Sequence, residues 1–358
     1  MAISLHSLRR TLFQQQPSPN NHQREQKIPF FEQAYLHLCN IVATIEKINP
    51  RTEEQLPHFL LGLSGGADSV FLFHLLLHAK NQQQLTFTAA HVNHQWREDA
   101  EETVDFCRQL CEKNQIPFIV DKLENYKHLL TFNGSSEAYG RQARQLFFKK
   151  ICTEQNIPFV FLGHHCDDQV ESFFIKLIRG ATLEGIAGMQ TITQNNIRPL
   201  LIFAKKDLVQ YLIDNNLNWH HDSTNDSDLF LRNSIRSKLI PLINEIDERS
   251  SANIRRLQVH AQLDNDFFIL ETQKALSRIQ VQEPQSKQIR YHIAAFFSEH
   301  PAIQKRMLSH LLYAHRYQGN LSEAIILEII RFLMHNQGGE HQIKNLVLHK
   351  KQGFFWFA

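Results

Sequence analysis

The stretch His58-Phe59-Leu60-Leu61-Gly62-Leu63, followed at once by Ser64-Gly65-Gly66-Ala67-Asp68-Ser69 and then by Val70-Phe71-Leu72-Phe73, decides the fold. An unbroken apolar run over 58–63 suits a strand buried on both faces, the environment of a parallel sheet. The apolar residues over 69–79 read as a helix. Between them, Gly65 and Gly66 permit positive φ and let a ligand approach the backbone closely. The loop N–H groups and the helix N-terminus then form an anion cradle, to which Ser64 and Ser69 add hydroxyl donors. The loop lacks the Gly-Lys-Ser/Thr of a Walker A motif and does not follow Gly-x-Gly-x-x-Gly. Asp68 is a poor neighbour for phosphate unless a cation lies between them, which points to Mg²⁺. The plain alternative is a glycine turn with a capping serine.

Outward from this stretch the pattern repeats. Strands are expected over 85–91, 117–121 and 158–163, with helices over 98–114, 136–156 and 167–179 and an amphipathic helix over 28–47 ahead of the first strand. Strands alternating with helices imply right-handed crossovers and a parallel sheet covered on both faces. The expectation is a Rossmann-like α/β domain whose ligands sit at the carboxyl ends of the strands. Beyond Trp219 strand signals fade. Helices are expected over 230–246, 251–276, 286–298, 303–315 and 322–334, then a small hairpin over 341–357. The expected organisation is a tail over 1–27, a catalytic domain over 28–228 and a smaller, mainly helical domain over 229–358.

Bulk properties set limits. The 358 residues suffice for two domains, and 42% hydrophobic content excludes global disorder. A formal charge of +2 permits a nucleic-acid partner only through local basic surface. The 21 histidines are scattered, without paired ligand spacing. Five cysteines form an odd, unpatterned set, which argues for a reducing compartment and a cytoplasmic location. Cys107 and Cys111 share a helix face, most simply as small core residues. No apolar run reaches the roughly 18 residues of a membrane span. The Gln-, Asn- and Pro-rich tail is no secretory signal.

Ser-Gly-Gly-x-Asp-Ser after a first strand resembles the PP-loop of ATP pyrophosphatases, enzymes of the adenine nucleotide alpha hydrolase-like fold that split ATP into AMP and pyrophosphate. Further motifs narrow the likeness: His91-Val92-Asn93-His94; Ser136-Glu137-x-x-Gly140-Arg141-x-x-Arg144; Gly163-His164-His165-x-Asp167-Asp168-Gln169 with Glu171; and Arg179-Gly180. Gly185-Ile186-x-Gly188-Met189, Arg198-Pro199-Leu200-Leu201, Asp222-Ser223-Thr224-Asn225, Arg232-Asn233-x-x-Arg236 and Pro241 follow in order. Over about 60–241 the chain is similar to the tRNA(Ile)-lysidine synthetase family, departing at Ile186, where that family usually has Leu.

The resemblance implies a ligase forming a carbon–nitrogen bond, with ATP and Mg²⁺ as cofactors. Its partners are tRNA(Ile) bearing a CAU anticodon, and L-lysine. A homodimer is left open. The implied nucleotide-binding residues are Ser64, Gly65, Gly66, Ala67, Asp68 and Ser69, the implied metal ligands Asp68 and Asp168, and the implied catalytic residues Asp68, Arg144, His164, Asp168 and Arg232. Glu137, Arg141 and Arg144 share a helix face at i, i+4 and i+7; a surface Glu137–Arg141 pair leaves Arg144 to meet phosphate. His164 ends a strand, suited to proton transfer or phosphate binding, with a buried structural histidine as the alternative. Asp167 reads as a helix cap; by analogy with the family, Asp168 is the active acid. Arg232, Arg236 and Lys238, and then Arg249, Arg255 and Arg256, form two basic clusters expected to serve RNA, or else a solvated helix surface. A PP-loop tRNA thiolase is the nearest alternative, but Cys107 and Cys111 have the wrong spacing for it. A non-catalytic RNA-binding relative is disfavoured by Asp68, Asp168 and Arg144.

Overall fold

The computed structural model describes residues 28–48, 56–95, 100–130, 136–220, 231–282, 288–319, 321–335 and 337–358. The tail over 1–27, the Asp222–Asn225 motif and the side chain of Glu137 lie outside the described residues. The chain forms two compact units that divide between Gln258 and Val259.

In the first unit, β1 (His58–Gly62) is followed by α2 (Ala67–Asn81), β2 (Thr86–Asn93), α3 (Ala100–Lys113), β3 (Phe118–Lys122), α4 (Ser136–Glu154), β4 (Val160–Phe161) and α5 (Cys166–Ile178). α1 (Phe30–Ile48) precedes them. After α5 come a single turn, α6 (Leu183–Ile186), the hairpin β5 (Ile192–Thr193) and β6 (Asn196–Ile197), and α7 (Lys205–Asp214). The strand order is β3-β2-β1-β4-β6-β5, parallel throughout except for β5 at the edge.

The period-two geometry of β1 splits its apolar run between two layers. Phe59 and Leu61 enter the core shared with α1, α2 and α7, whereas Leu60 faces Phe147, Phe148 and Ile151 of α4. β2 repeats the division, with Phe87 and Ala89 on the first side and Ala90 and Val92 on the second. On α1, Ala34, Leu38, Ile41, Val42 and Ile45 recur at helical spacing and are buried. The strand expected over 158–163 is reduced to Val160 and Phe161, and α7 was not anticipated.

His37 lies on α1 with Nε2 buried and without a hydrogen-bond partner, edge-on to Phe203 with ring centroids 5.9 Å apart. Burial pushes its pKa down to about 4. The unfolded chain therefore takes up a proton, near pH 6.5, that the folded one refuses until about 4, so this site removes stability as pH falls through that window. His37→Leu is expected to lose less melting temperature than the parent between pH 7 and pH 5. Equal losses in the two proteins would show that His37 does not contribute.

The helical segment after residue 230 is irregular. It runs through α8 (Leu231–Ser234), a π turn (Ile235–Leu239) and α9 (Ile240–Ile246). Pro241 has no N–H to continue the ordinary ladder, which accounts for a widened turn just before it. α10 (Ser250–Ile279) follows.

In the second unit the hairpin expected over 341–357 is present, turning between Lys351 and Phe354, and is part of a larger sheet. β7 (Gln280–Gln282), β8 (Ile289–His292), β9 (Gly339–Ile343), β10 (Leu346–Lys351) and β11 (Phe354–Phe357) form one antiparallel sheet, ordered β7-β8-β11-β10-β9. The helix expected over 286–298 is strand β8 and then a short α11 (Ile293–Ser298), because Tyr291 pairs with Phe355 and both side chains are buried. α12 (Pro301–Ala314) and α13 (Glu323–Met334) supply Met307, Leu308 and Ile329 to the same core. Lys350 Nζ is buried and donates to the carbonyls of Phe332 (3.3 Å), Leu333 (2.7 Å) and His335, capping the end of α13.

Candidate active site

In the sheet, β1 leads through α2 to β2 on one side, while β4 lies on its other side. Connections leaving β1 and β4 therefore diverge, opening a crevice at their carboxyl ends. The segments lining it are 64–69 after β1 and 163–168 after β4. Gly163 lets them touch, since a Cβ there would stand 3.1 Å from the Asp68 carbonyl carbon and the Ser69 nitrogen. Gly65 takes φ +87°, and a Cβ there would meet Thr103 Cγ2 at 2.8 Å. Both positions accept only glycine without displacement of their neighbours.

The loop holds itself open from within. Ser69 Oγ donates to Gly66 O (2.9 Å) and accepts from Ser64 N (3.2 Å) and Ser64 Oγ (3.0 Å). The two hydroxyls expected to face a ligand thus first bond to each other. Gly66 caps α2 without any side-chain bond, so a bound anion is the natural partner for the first-turn N–H groups. From the far side, His220 N donates to Gly65 O at 2.9 Å.

Three acids gather around His165 rather than around His164. His165 Nε2 lies 3.5 Å from both Asp68 Oδ2 and Asp168 Oδ2, and its Nδ1 lies 3.4 Å from Asp167 Oδ2. Burial opposes a charge on this ring, but the carboxylates of Asp167, Asp68 and Asp168 overcome it and push its pKa up to about 10. His165 is therefore a built-in cation. It is also the N-cap of α5, where its N–H donates to Asp168 Oδ2 at 2.9 Å. Asp167, expected to cap its own helix, instead accepts from Lys205 N at 2.8 Å and so caps α7.

Asp168 and Glu171 share one face of α5 at i and i+3. Arg232 donates from Nη2 to Asp168 Oδ1 (2.7 Å) and from Nε to Glu171 Oε2 (2.7 Å). Arg236 donates from Nε to Glu171 Oε1 (2.5 Å) and from Nη2 to Glu171 Oε2 (3.1 Å). Burial opposes ionisation of Asp168, yet His165 and Arg232 hold its pKa below the ordinary value. Arg232 and Arg236 therefore face the acids of the site, which corrects their assignment to an RNA-facing basic cluster. Of the second cluster, Arg249 pairs with Asp247 at 3.0 Å, Arg255 Nε donates to Ser251 O (3.4 Å) and Arg256 Nη2 to Asn253 Oδ1 (2.7 Å).

His164 has a different environment. Burial, assisted by Arg198, Arg144 and Arg141 and opposed by Asp168, pushes its pKa down to about 3, so the ring is neutral. Its Nδ1 is buried without a hydrogen-bond partner. Burial and then Arg141 push Arg198 down to about 10, and the same two causes lower Lys176. Arg144, Arg141 and Arg198 thus lie near enough to His164 to act on its charge, as does Asp168. Gln169 holds the motif that follows α5, donating to Met189 O and accepting from Met189 N, both at 2.7 Å.

A divalent cation fits Asp68 better than Asp168. Asp68 Oδ1 is buried at the phosphate loop without a partner. Both Asp168 oxygens are already bonded. Among the described residues no group of three or more His, Cys, Asp or Glu is arranged to hold a metal ion. One or two carboxylates complemented by substrate phosphates are nevertheless what Mg²⁺ ordinarily uses.

A family model described as a PP-loop domain matches residues 39–243. The chain belongs to this family. Among curated relatives it is 29% identical to a tRNA(Ile)-lysidine synthase of Caldanaerobacter subterraneus subsp. tengcongensis, over 76% of this chain and 58% of that protein. It is 32% identical to one of Clostridium perfringens, over 71% of this chain and 54% of that protein. With one of Chlamydia muridarum it shares 38% identity over 52% of this chain and 58% of that protein. The chain therefore spans less than two thirds of the length of these relatives. A solved U34-tRNA thiolase from Methanococcus maripaludis, seen with its [4Fe-4S] cluster, covers 68% of this chain at a TM-score of 0.50 and 17% identity, a likeness of fold alone; 87% of the thiolase is aligned.

Sequence reasoning selected Asp68, Asp168 and Arg232, which the PP-loop chain does bring together around one crevice. It gave no place in the crevice to His165 and Lys205, which approach Asp68, or to Glu171 and Arg236, which join the Asp168–Arg232 pair. For Glu171 and Arg236 a signal existed: acids at i and i+3 facing arginines at i and i+4.

Proposed function

We propose that this protein is a cytoplasmic tRNA(Ile)-lysidine synthase. The observation that carries the proposal is the unpartnered Asp68 oxygen beside an open PP-loop, with His165, Asp168 and Arg232 across the same crevice. The relatives' names give tRNA(Ile) and lysidine, the PP-loop points to ATP, and the sequence resemblance adds the CAU anticodon and L-lysine. The C2 oxygen of the wobble cytidine in tRNA(Ile) with a CAU anticodon attacks the α-phosphorus of ATP, and pyrophosphate leaves. The ε-amine of L-lysine then attacks C2, the C2–O bond breaks, and AMP leaves with the electron pair.

Each step has a residue suited to it. The 64–69 loop and the start of α2 bind phosphate through N–H groups. Mg²⁺, held at Asp68, would neutralise phosphate charge when bound. Arg144 and Arg198, which both act on His164, are suited to the anionic RNA and the developing phosphoryl charge. Asp168 stays ionised, so it attracts the lysine ammonium; the ammonium loses one proton to solvent to become the nucleophilic amine, and Asp168 accepts a second once the forming C–N bond has acidified the nitrogen. Arg232 fixes the Asp168 carboxylate. Transfer RNA contacts extend over the second unit and over Arg255 and Arg256.

Incubation with ATP, labelled lysine and a CAU-anticodon transfer RNA is expected to place label in the RNA, with pyrophosphate release requiring that RNA. Transfer of sulfur instead would favour the thiolase reading, for which the buried Cys107 and Cys111 thiols, pushed up to about 12 by burial, are poorly suited. In the same assay Asp168→Ala is expected to lose at least about 100-fold in rate, the scale of a lost acid–base group. Asp167→Ala, which removes the cap on α7 and one of the three carboxylates around His165 but leaves Asp168 in place, is expected to lose about tenfold or less. Equal losses would overturn this division of roles.

A further inference from the structure

Lys205 stands at the first position of α7, a helix of ten residues, with Ala204 as its N-cap. A cation there is on the wrong end of the helix, because the backbone N–H groups already make that end positive. Neither is the residue placed by chance of a loose chain. Its own N–H is tied to Asp167 Oδ2 at 2.8 Å, and the preceding Phe203 accepts from Cys166 N at 3.0 Å. The start of α7 is thereby fixed against the start of α5.

From that anchored position the ammonium turns to the phosphate loop. Lys205 Nζ lies 3.9 Å from Asp68 Oδ2, and the side chain is 41% exposed. The same Asp68 oxygen already has His165 Nε2 at 3.5 Å. Lys205 Nζ and His165 Nε2 thus approach one carboxylate oxygen, the ammonium at a distance too long for a tight ion pair, while Asp68 Oδ1 has no partner. The ammonium is therefore not committed to Asp68 and stands beside the loop where the α2 N–H groups await an anion.

We propose that Lys205 is a further substrate-binding residue, whose ammonium contacts the β- and γ-phosphates of ATP and supports the departing pyrophosphate. The proposal rests on ATP being the substrate. Asp68 is the resting partner of the ammonium before nucleotide binds. Its exposed neighbour Lys206, in the same helical turn, serves as the control.

The test compares binding of Mg²⁺–ATP and of AMP to the full chain by titration calorimetry, without RNA or lysine, for the parent, Lys205→Ala, Lys205→Arg and Lys206→Ala. Lys205→Ala is expected to weaken ATP about tenfold or more, the scale of one lost charged phosphate contact, and to leave AMP within about twofold. Lys205→Arg should recover most of the loss, and Lys206→Ala should match the parent. If Lys205→Ala binds ATP as the parent does, or weakens ATP and AMP equally, the residue is a structural partner of Asp68 and the proposal fails while the ATP-dependent reading stands. A parent chain that binds no ATP would overturn both. Lysidine formation measured in parallel separates the remaining case, in which ATP binds as expected but the RNA product is not made.

Discussion

Asp68→Asn is expected to reduce ATP-dependent pyrophosphate release by about 1000-fold or more while leaving the chain folded and able to bind transfer RNA. The substitution keeps the shape of the side chain and removes only its charge. The Asp68 carboxylate faces His165 at 3.5 Å and Lys205 at 3.9 Å and is 26% exposed, so it contributes little to stability as an ion pair. Its value lies in Oδ1, buried at the phosphate loop without a partner. An amide there neither attracts a divalent cation nor offsets His165, so the loop loses the charge balance that lets triphosphate and acid coexist. Losses of about 100- to 1000-fold accompany removal of a single preorganised electrostatic contact, and loss of the bound cation adds to them. The measurement is pyrophosphate release across a Mg²⁺ series. A variant within about tenfold of the parent, with the same Mg²⁺ dependence, would remove Asp68 from the metal site.

The residues behind this expectation were legible because their chemistry is local. An apolar run, two glycines and a helical run stand next to one another, and the strand–loop–helix unit they specify needs no distant partner. β1, the loop and α2 accordingly lie where the pattern places them. The short strands β5 and β6 were illegible, since two residues carry no period. α7 passed unnoticed although Leu208 and Leu212 recur at helical spacing on its buried face. In the second unit β8 was misread as helix because its decisive neighbours, Phe354 and Phe355, lie far along the chain. Strand formation depends on such cross-strand partners more than on intrinsic preference.

The site shows the same limit at the level of single side chains. His164 and His165 are adjacent and chemically identical in the sequence. They differ only in which way the backbone turns each ring at the end of β4. One ring enters the acids and is pushed up to about 10; the other meets burial and three arginines and is pushed down to about 3. Arg232 and Arg236 present a related case. Read as a helix surface, they look like a basic patch for RNA. The π turn that includes Arg236 accompanies the placement of both guanidiniums against α5 instead.

That placement makes Glu171 the position where a single change should cost most in stability. Its side chain is 2% exposed and receives three hydrogen bonds, from Arg232 Nε, Arg236 Nε and Arg236 Nη2. Glu171→Ala removes the shared counter-charge and leaves two guanidiniums facing each other, with Asp168 alone to balance them. Breaking a fully buried pair costs about 3–5 kcal/mol. Here Arg232 and Arg236 are 22% and 32% exposed, so water recovers part of the cost and about 2–4 kcal/mol is expected. The denaturant midpoint should fall at unchanged slope, and lysidine formation should fall with it as Arg232 loses one of the two carboxylates that orient it. Arg236→Ala in the Glu171→Ala background should cost little more than Glu171→Ala alone, because the second deletion relieves an unpaired cation. The coupling between the two positions is expected at about 1–3 kcal/mol. Additive losses, or a cost below about 1 kcal/mol for Glu171→Ala, would show that the four side chains act as separate surface pairs and that Asp168 is not held in place through Arg232.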